Sequence, residues 1–217
     1  MLAALAMSSV IASAAQAEKS YTATGVSSAK VHAVDSTEAR DTFTAGGTIT
    51  CQGATFASGL TAVPSNDLTI TPTYTNCKAF GLPATVQMNG CTYTFNTPGI
   101  VGAHFGADVD LVCPGTVVEV KVWASHNAHT ENKTPICNVT VEPSTTLTGG
   151  VTMANNPNGT VAIEPNTVGS IPYVVHKSSF LCPGVNTETK TDGIYHVAPK
   201  TVTGADEEGN PVPVHVG

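Results

Sequence analysis

Apolar and polar residues alternate with a period of two along most of this chain, which is the pattern of half-buried strands. Gly47-Thr-Ile-Thr-Cys51 sets Ile49 and Cys51 against Thr48 and Thr50. Residues 67–74 set Leu68, Ile70, Pro72 and Tyr74 against a ladder of threonines. Residues 107–113 group Val109, Leu111 and Cys113 opposite Asp108 and Asp110. Residues 116–124 then group Val118, Val120 and Val122 opposite Glu119, Lys121 and Trp123. Cys137, Val139 and Val141 share one side of the next run, and shorter runs follow at 151–153, 160–163, 171–175, 180–182, 193–202 and 212–216. Threonine and valine dominate these runs, and their branched Cβ atoms favour a pleated surface. No 3.6-residue pattern of helical length appears.

Turn chemistry supplies the register. Asn89-Gly90 is a strong type I′ signal, because both central residues of that turn need positive φ. With it as a two-residue hairpin loop, Met88 faces Cys91, Val86 faces Tyr93 and Ala84 faces Phe95 on one apolar side. Gln87 with Thr92 and Thr85 with Thr94 form the polar side. Asn155-Asn-Pro-Asn-Gly159 marks a second hairpin, and Asp206-Glu-Glu-Gly209 a third that returns 212–216 onto 201–203. The fold class that follows is all-β, an antiparallel two-sheet sandwich or flattened barrel.

The sequence divides into three parts. Met1-Leu-Ala-Ala-Leu-Ala-Met-Ser-Ser-Val-Ile11 is an apolar run too short to span a bilayer, and Ala15-Gln16-Ala17 fits the small-residue cleavage rule. Residues 1–17 therefore read as a signal peptide, without a basic n-region. Residues 18–41, rich in Ala, Ser and Thr, read as a weakly structured leader or stalk with at most one helical turn. Residues 42–217 read as one β domain. No later segment is apolar enough to span a membrane as a helix, so the mature chain is expected to be secreted or held at the cell surface.

Six cysteines in an exported chain imply three disulfides, for which fifteen connectivities exist. No pair has zinc-finger spacing. Cys51, Cys91, Cys113, Cys137 and Cys182 fall on the apolar side of their runs, while strict alternation sets Cys77 on the threonine side. The favoured pairing is Cys77–Cys91, Cys113–Cys137 and Cys51–Cys182.

The string Cys77-Lys-Ala-Phe-Gly81, continuing to Asn89-Gly-Cys-Thr-Tyr-Thr-Phe95 and Val112-Cys113-Pro114, resembles a group of secreted six-cysteine proteins from high-GC Gram-positive bacteria. The similarity runs from about Gly46 to the C-terminal hairpin. It implies export and a stapled β fold; the group is uncharacterised and carries no catalytic residue over.

Charge and motifs narrow the chemistry. Only 12% of residues are charged and the net charge is −7, with nine scattered Lys and Arg, so nucleic acid is not an expected partner. Gly25-Val-Ser-Ser-Ala29 lacks the closing glycine of a nucleophile elbow, and no zinc-protease, P-loop or dinucleotide motif occurs. His126 and His129 with Glu131 form the best metal-like cluster, against the plainer reading of an exposed polar loop. Asp108, Asp110 and Glu119 are the candidate carboxylates. If Pro114-Gly115 is a tight turn, Asp110 lies across from Glu119, a like-charge pair that calcium or the nearby Lys121 relieves. Trp123 on a polar face, with Tyr173 and Tyr195 elsewhere, suggests a sugar-stacking platform or an indole tucked under a neighbouring element. Asn132-Lys-Thr, Asn138-Val-Thr and Asn158-Gly-Thr fit the glycosylation pattern. Without an assembled catalytic set or a cofactor motif, the sequence points to a non-enzymatic structural or binding protein. Glycan, cell-wall polymer and protein are the candidate partners. The alternative is an extracellular hydrolase using Asp108, Asp110 and Glu119.

Overall fold

The structure, a computed structural model, describes residues 19–35, 40–59, 61–96, 98–125, 134–165, 167–177, 182 and 190–217. The described residues form strands and no helix, and every pairing is antiparallel. In order the strands are β1 (Tyr21–Ala23), β2 (Ser28–Asp35), β3 (Asp41–Thr44), β4 (Thr48–Ala57), β5 (Thr61–Ala62), β6 (Leu68–Ala79) and β7 (Leu82–Gln87). Then come β8 (Thr92–Phe95), β9 (Gly99–Val101), β10 (His104–Val112), β11 (Val118–Val122), β12 (Cys137–Val141) and β13 (Ser144–Asn155). The last are β14 (Val161–Pro165), β15 (Val168–Lys177), β16 (Lys190–His196), β17 (Lys200–Ala205), β18 (Pro211–Val212) and β19 (Val214–Val216).

The hydrogen-bonded neighbours trace two closed circuits. Circuit A runs β3–β4–β6–β7–β11–β12–β15–β16 and back to β3. Circuit B runs β2–β4–β6–β8–β10–β13–β14–β17 and back to β2. Closure removes most free sheet edges, which would otherwise template aggregation. Each circuit encloses its own apolar cluster. Ile49, Leu111, Val120, Val122, Val139, Ile171 and Val175 sit in the first; Phe56, Ile70, Val109, Met153, Val161, Ile163 and Val202 sit in the second.

β4 and β6 belong to both circuits, and they change inward face halfway along. Ile49 and Cys51 are buried in circuit A, whereas Ala54 and Phe56 are buried in circuit B. On β6, Cys77 and Ala79, opposite Cys51 and Ile49, serve A, while Leu68 and Ile70, further along the strand, serve B. The crossover falls at Asn76, held at φ 50°, a left-handed value that Asn tolerates better than most residues. Cys77 therefore sits on the threonine phase of its strand and is nonetheless buried, because that phase becomes the inside of the other circuit.

This double closure corrects several expectations. Asn89 and Gly90 do make the turn, with φ 51° and 84° and a bond from the Cys91 amide to the Met88 carbonyl. The flanking strands do not pair with each other. β7 joins β6 and β11 in circuit A, and β8 joins β6 and β10 in circuit B. The tight hairpin instead sits one turn earlier, at Phe80-Gly81, where φ is 56° and 81° and Ala79 faces Leu82. Pro114-Gly115 likewise joins strands of different circuits. The 155–159 hairpin forms as expected, with Met153 facing Ile163. The last turn returns only β18 onto β17, while β19 pairs with β1.

The leader is also structured where it is described. Tyr21–Ala23 and Ser28–Asp35 are strands, and β2 closes circuit B between β17 and β4. Its alternation was muted because small Ala29 and Ala33 fill the buried positions. All six cysteines are bridged, but in sequence order: Cys51–Cys77, Cys91–Cys113 and Cys137–Cys182. Cys51 and Cys77 are direct cross-strand partners, so register rather than loop economy selects them. Residues 1–17, the cluster His126, His129 and Glu131, and Asn132 lie outside the described residues.

Candidate functional site

The expected carboxylates do not assemble. Asp108 and Asp110 are on β10, which pairs with β8, β9 and β13; Glu119 is on β11, which pairs with β7 and β12. Asp108 is exposed, and Asp110 accepts a bond from Asn96 Nδ2 at 3.2 Å. Glu119 accepts from Asn138 at 3.1 Å and Asn89 at 3.3 Å, and pairs with Lys121 at 3.4 Å. These contacts, the Asn138 bond foremost, hold its carboxyl below the usual range. The calcium or catalytic arrangement expected across Pro114-Gly115 is thus replaced by a hydrogen-bonded cluster around Glu119 alone. Trp123 is buried, with Nε1 3.4 Å from Thr85 Oγ1, and Tyr173 is buried at an edge-on contact with Phe43. The sugar platform does not form; the tucked indole does. No group of three metal-ligating residues occurs among the described residues.

What the fold does build is a hollow at the seam. A cavity of about 70 Å³ lies in circuit A, lined by Ile49, Val86, Val118, Val120, Leu111 and Ile171, with aromatic residues and Asp41 completing it. A water needs only about 10–15 Å³ but also two to four polar partners. The lining offers few of those, so an apolar guest suits this space better than water. On the other side of Tyr93 and Tyr195, circuit B holds a second apolar cavity of about 50 Å³ that reaches Lys200.

The seam itself is polar. Tyr74 and Tyr195 share a hydroxyl–hydroxyl bond of 2.6 Å, Tyr93 lies 3.4 Å from Tyr74 Oη, and the rings of Tyr93 and Tyr195 stack. Burial pushes all three phenols above their ordinary value, so they stay protonated donors at neutral pH. Beside them Lys200 Nζ donates to Asp35 Oδ1 and to Asp41 Oδ1 at 3.0 Å and Oδ2 at 3.2 Å. The Ala198 amide donates to Asp41 at 2.7 Å, and the Ala54 amide to Asp35 at 3.2 Å. Lys200 and Asp41 are 3% and 4% exposed, which is tolerable only for paired ions. Burial raises the Asp41 carboxyl against the opposing pull of Lys200. Sequence reasoning missed this cluster. The available signal was phase: Lys200 alternates with Val202, and Asp41 with Phe43, so each charge stands on the apolar side of its strand.

A mouth leads to the first cavity. β6 pairs with β8 over Leu68–Ile70 and with β7 over Cys77–Ala79, leaving 71–76 without a partner on that edge. β7 pairs with β6 only up to Ala84. The gap opens as a groove of about 480 Å³ lined by Asn76, Thr85, Gln87, Lys121 and Trp123. Tyr74 and Val86 line both the groove and the cavity, so the two adjoin through the interrupted wall.

Set against known proteins, the chain matches no family model, no curated protein and no solved structure.

Proposed function

We propose that this is an exported, non-enzymatic binding protein that takes a small, largely apolar ligand through the groove beside β6 into the cavity of circuit A. The observation that carries this reading is the shared lining: Tyr74 and Val86 face groove and cavity alike at the one stretch where β6 leaves β8 and has not yet met β7. Apolar walls with a few convergent polar groups are the usual make-up of a ligand site. Three disulfides support a place outside the reducing cytosol. All six cysteines are bridged, and the interior charges are paired with each other, which supports binding over catalysis.

Methyl NMR under xenon pressure tests it. Saturable shifts are expected at Val86, Val118, Val120 and Ile171, and Val120→Phe, which fills the space, abolishes them. Shifts that are linear in pressure and scattered over surface methyls overturn the reading.

A second reading places the partner outside. Thr69, Thr71, Thr73 and Thr75 form an exposed row on β6, with Thr94 Oγ1 3.2 Å from Thr69 Oγ1 and Thr55 facing Thr73. Such a hydroxyl face suits a glycan, a cell-wall polymer or a protein. Pull-down on insoluble cell-wall polymer, with Thr71→Lys and Thr73→Lys as the disrupted control, checks it; retention unaffected by the pair counts against it.

A further inference from the structure

One part of the circuit A cavity's lining differs from the rest. Phe43, Tyr74, Tyr93 and Tyr195, linked by ring stacking, a hydroxyl–hydroxyl bond and cross-strand register, line it together with Asp41. Asp41 accepts three bonds, two from Lys200 and one from Ala198, while a carboxylate has about four acceptor positions. No donor among the described residues takes the fourth. The surrounding charges favour a positive guest: Asp35 and Asp41 share the single ammonium of Lys200, so the cluster holds one carboxylate more than it holds cations. Aromatic faces attract a weakly hydrated cation most strongly where water is scarce, and the surroundings of Tyr74, Tyr93 and Tyr195 are dry enough to raise all three phenols.

We propose that the ligand carries a compact methylated ammonium head, seated against Asp41 among Phe43, Tyr74, Tyr93 and Tyr195, with its remainder leaving past Tyr74 and Val86 into the groove. This rests on the reading of the cavity as a ligand site and adds the chemistry of the head. Neutral apolar guests fit the valine and isoleucine wall equally well, but gain nothing at the aromatic residues. Anionic heads meet the surplus carboxylate and are rejected.

Tetramethylammonium chloride and tert-butanol, alike in size and differing in charge, are the probes. Titration of the folded protein at fixed ionic strength, followed by the methyls of Val86, Val118 and Ile171 and by the Tyr ring signals, is expected to give tetramethylammonium an affinity at least about tenfold higher. Asp41→Asn is expected to remove most of that preference. Phe43→Leu keeps the Lys200 cluster intact and is expected to weaken the cation about fivefold while leaving tert-butanol unchanged; it serves if Asp41→Asn unfolds. Equal affinities for the two probes at these methyls overturn the ammonium head and leave the cavity reading standing. Silence from both probes and from xenon overturns both. Tetramethylammonium binding that neither variant changes reports a site on the acidic exterior and likewise overturns the inference.

Discussion

The two circuits have the same number of strands and share two of them, yet they are held shut by different means. Circuit A contains every cysteine: Cys51, Cys77, Cys91, Cys137 and Cys182 lie within its core and Cys113 packs against it. The core of circuit B holds no cysteine, and the Cys51–Cys77 bridge on the two shared strands is buried on the circuit A side. Circuit B's cluster is closed by the ribbon of β1 and β19, whose Tyr21, Val214 and Val216 are buried there. Asn155 clamps that ribbon, donating from Nδ2 to the Val216 carbonyl and accepting the Val216 amide at Oδ1, both at 2.8 Å. The contrast teaches where a cavity is tolerated. The larger hollow lies in the cross-linked circuit, where loops closed by disulfides offset the lost packing.

That comparison is broken most severely at the seam, which both circuits need. Lys200→Met leaves Asp35 and Asp41 facing each other without a cation, and is expected to cost about 5 kcal/mol. Thermal unfolding followed by hydrogen exchange is expected to show amides of both circuits losing protection together. Next in size is Cys137→Ala with Cys182→Ala. This bridge spans 45 residues, more than the 26 and 22 of the others. The chain-entropy relation gives about 4 kcal/mol for it. Exchange is expected to quicken at Val139 and Val175 before Met153 and Val202; simultaneous loss denies that the circuits differ. Asn155→Ala reverses the order. Two backbone bonds to Val216 disappear, a cost of about 2 kcal/mol, and Met153 and Val202 exchange first. The smallest effect is at Glu119. Its folded pKa is depressed, so its contribution is present above the unfolded carboxyl range and is lost as pH falls through the folded value. Glu119→Gln is expected to lower stability at neutral pH by less than about 1 kcal/mol and to flatten the acid limb of a pH–stability curve.

Much of the strand content was legible because period-two alternation is local. Val118, Val120 and Val122, or Met153 and Ile163, read correctly from their neighbours alone. The Asn89-Gly90 turn was legible for the same reason. Partnership was not. A turn fixes the directions of Gln87 and Thr92 but does not oblige the strands beyond to pair, and here each finds a longer partner in a different circuit. The disulfides failed for a related reason: Cys77–Cys91 and Cys113–Cys137 were favoured for closing short loops, whereas cross-strand register joins Cys51 to Cys77. The candidate site was least legible. Asp35 and Asp41 come from consecutive strands but Lys200 lies 165 and 159 residues further on, and only a charge on the apolar phase hinted that any of them turns inward.

The chain passes from one circuit to the other many times, and Ser20 and Gly217 exchange reciprocal backbone bonds of 3.1 Å. Neither circuit is therefore an excisable module, because each draws strands from the first third and from the last quarter of the sequence. A chain still emerging from a ribosome or a translocation channel has no finished core to settle into. Contacts this remote in sequence make folding slow and leave bare strands for longer. Threonine-rich outer faces, wettable even before closure, fit a polypeptide that has to stay dispersed until its final residues arrive.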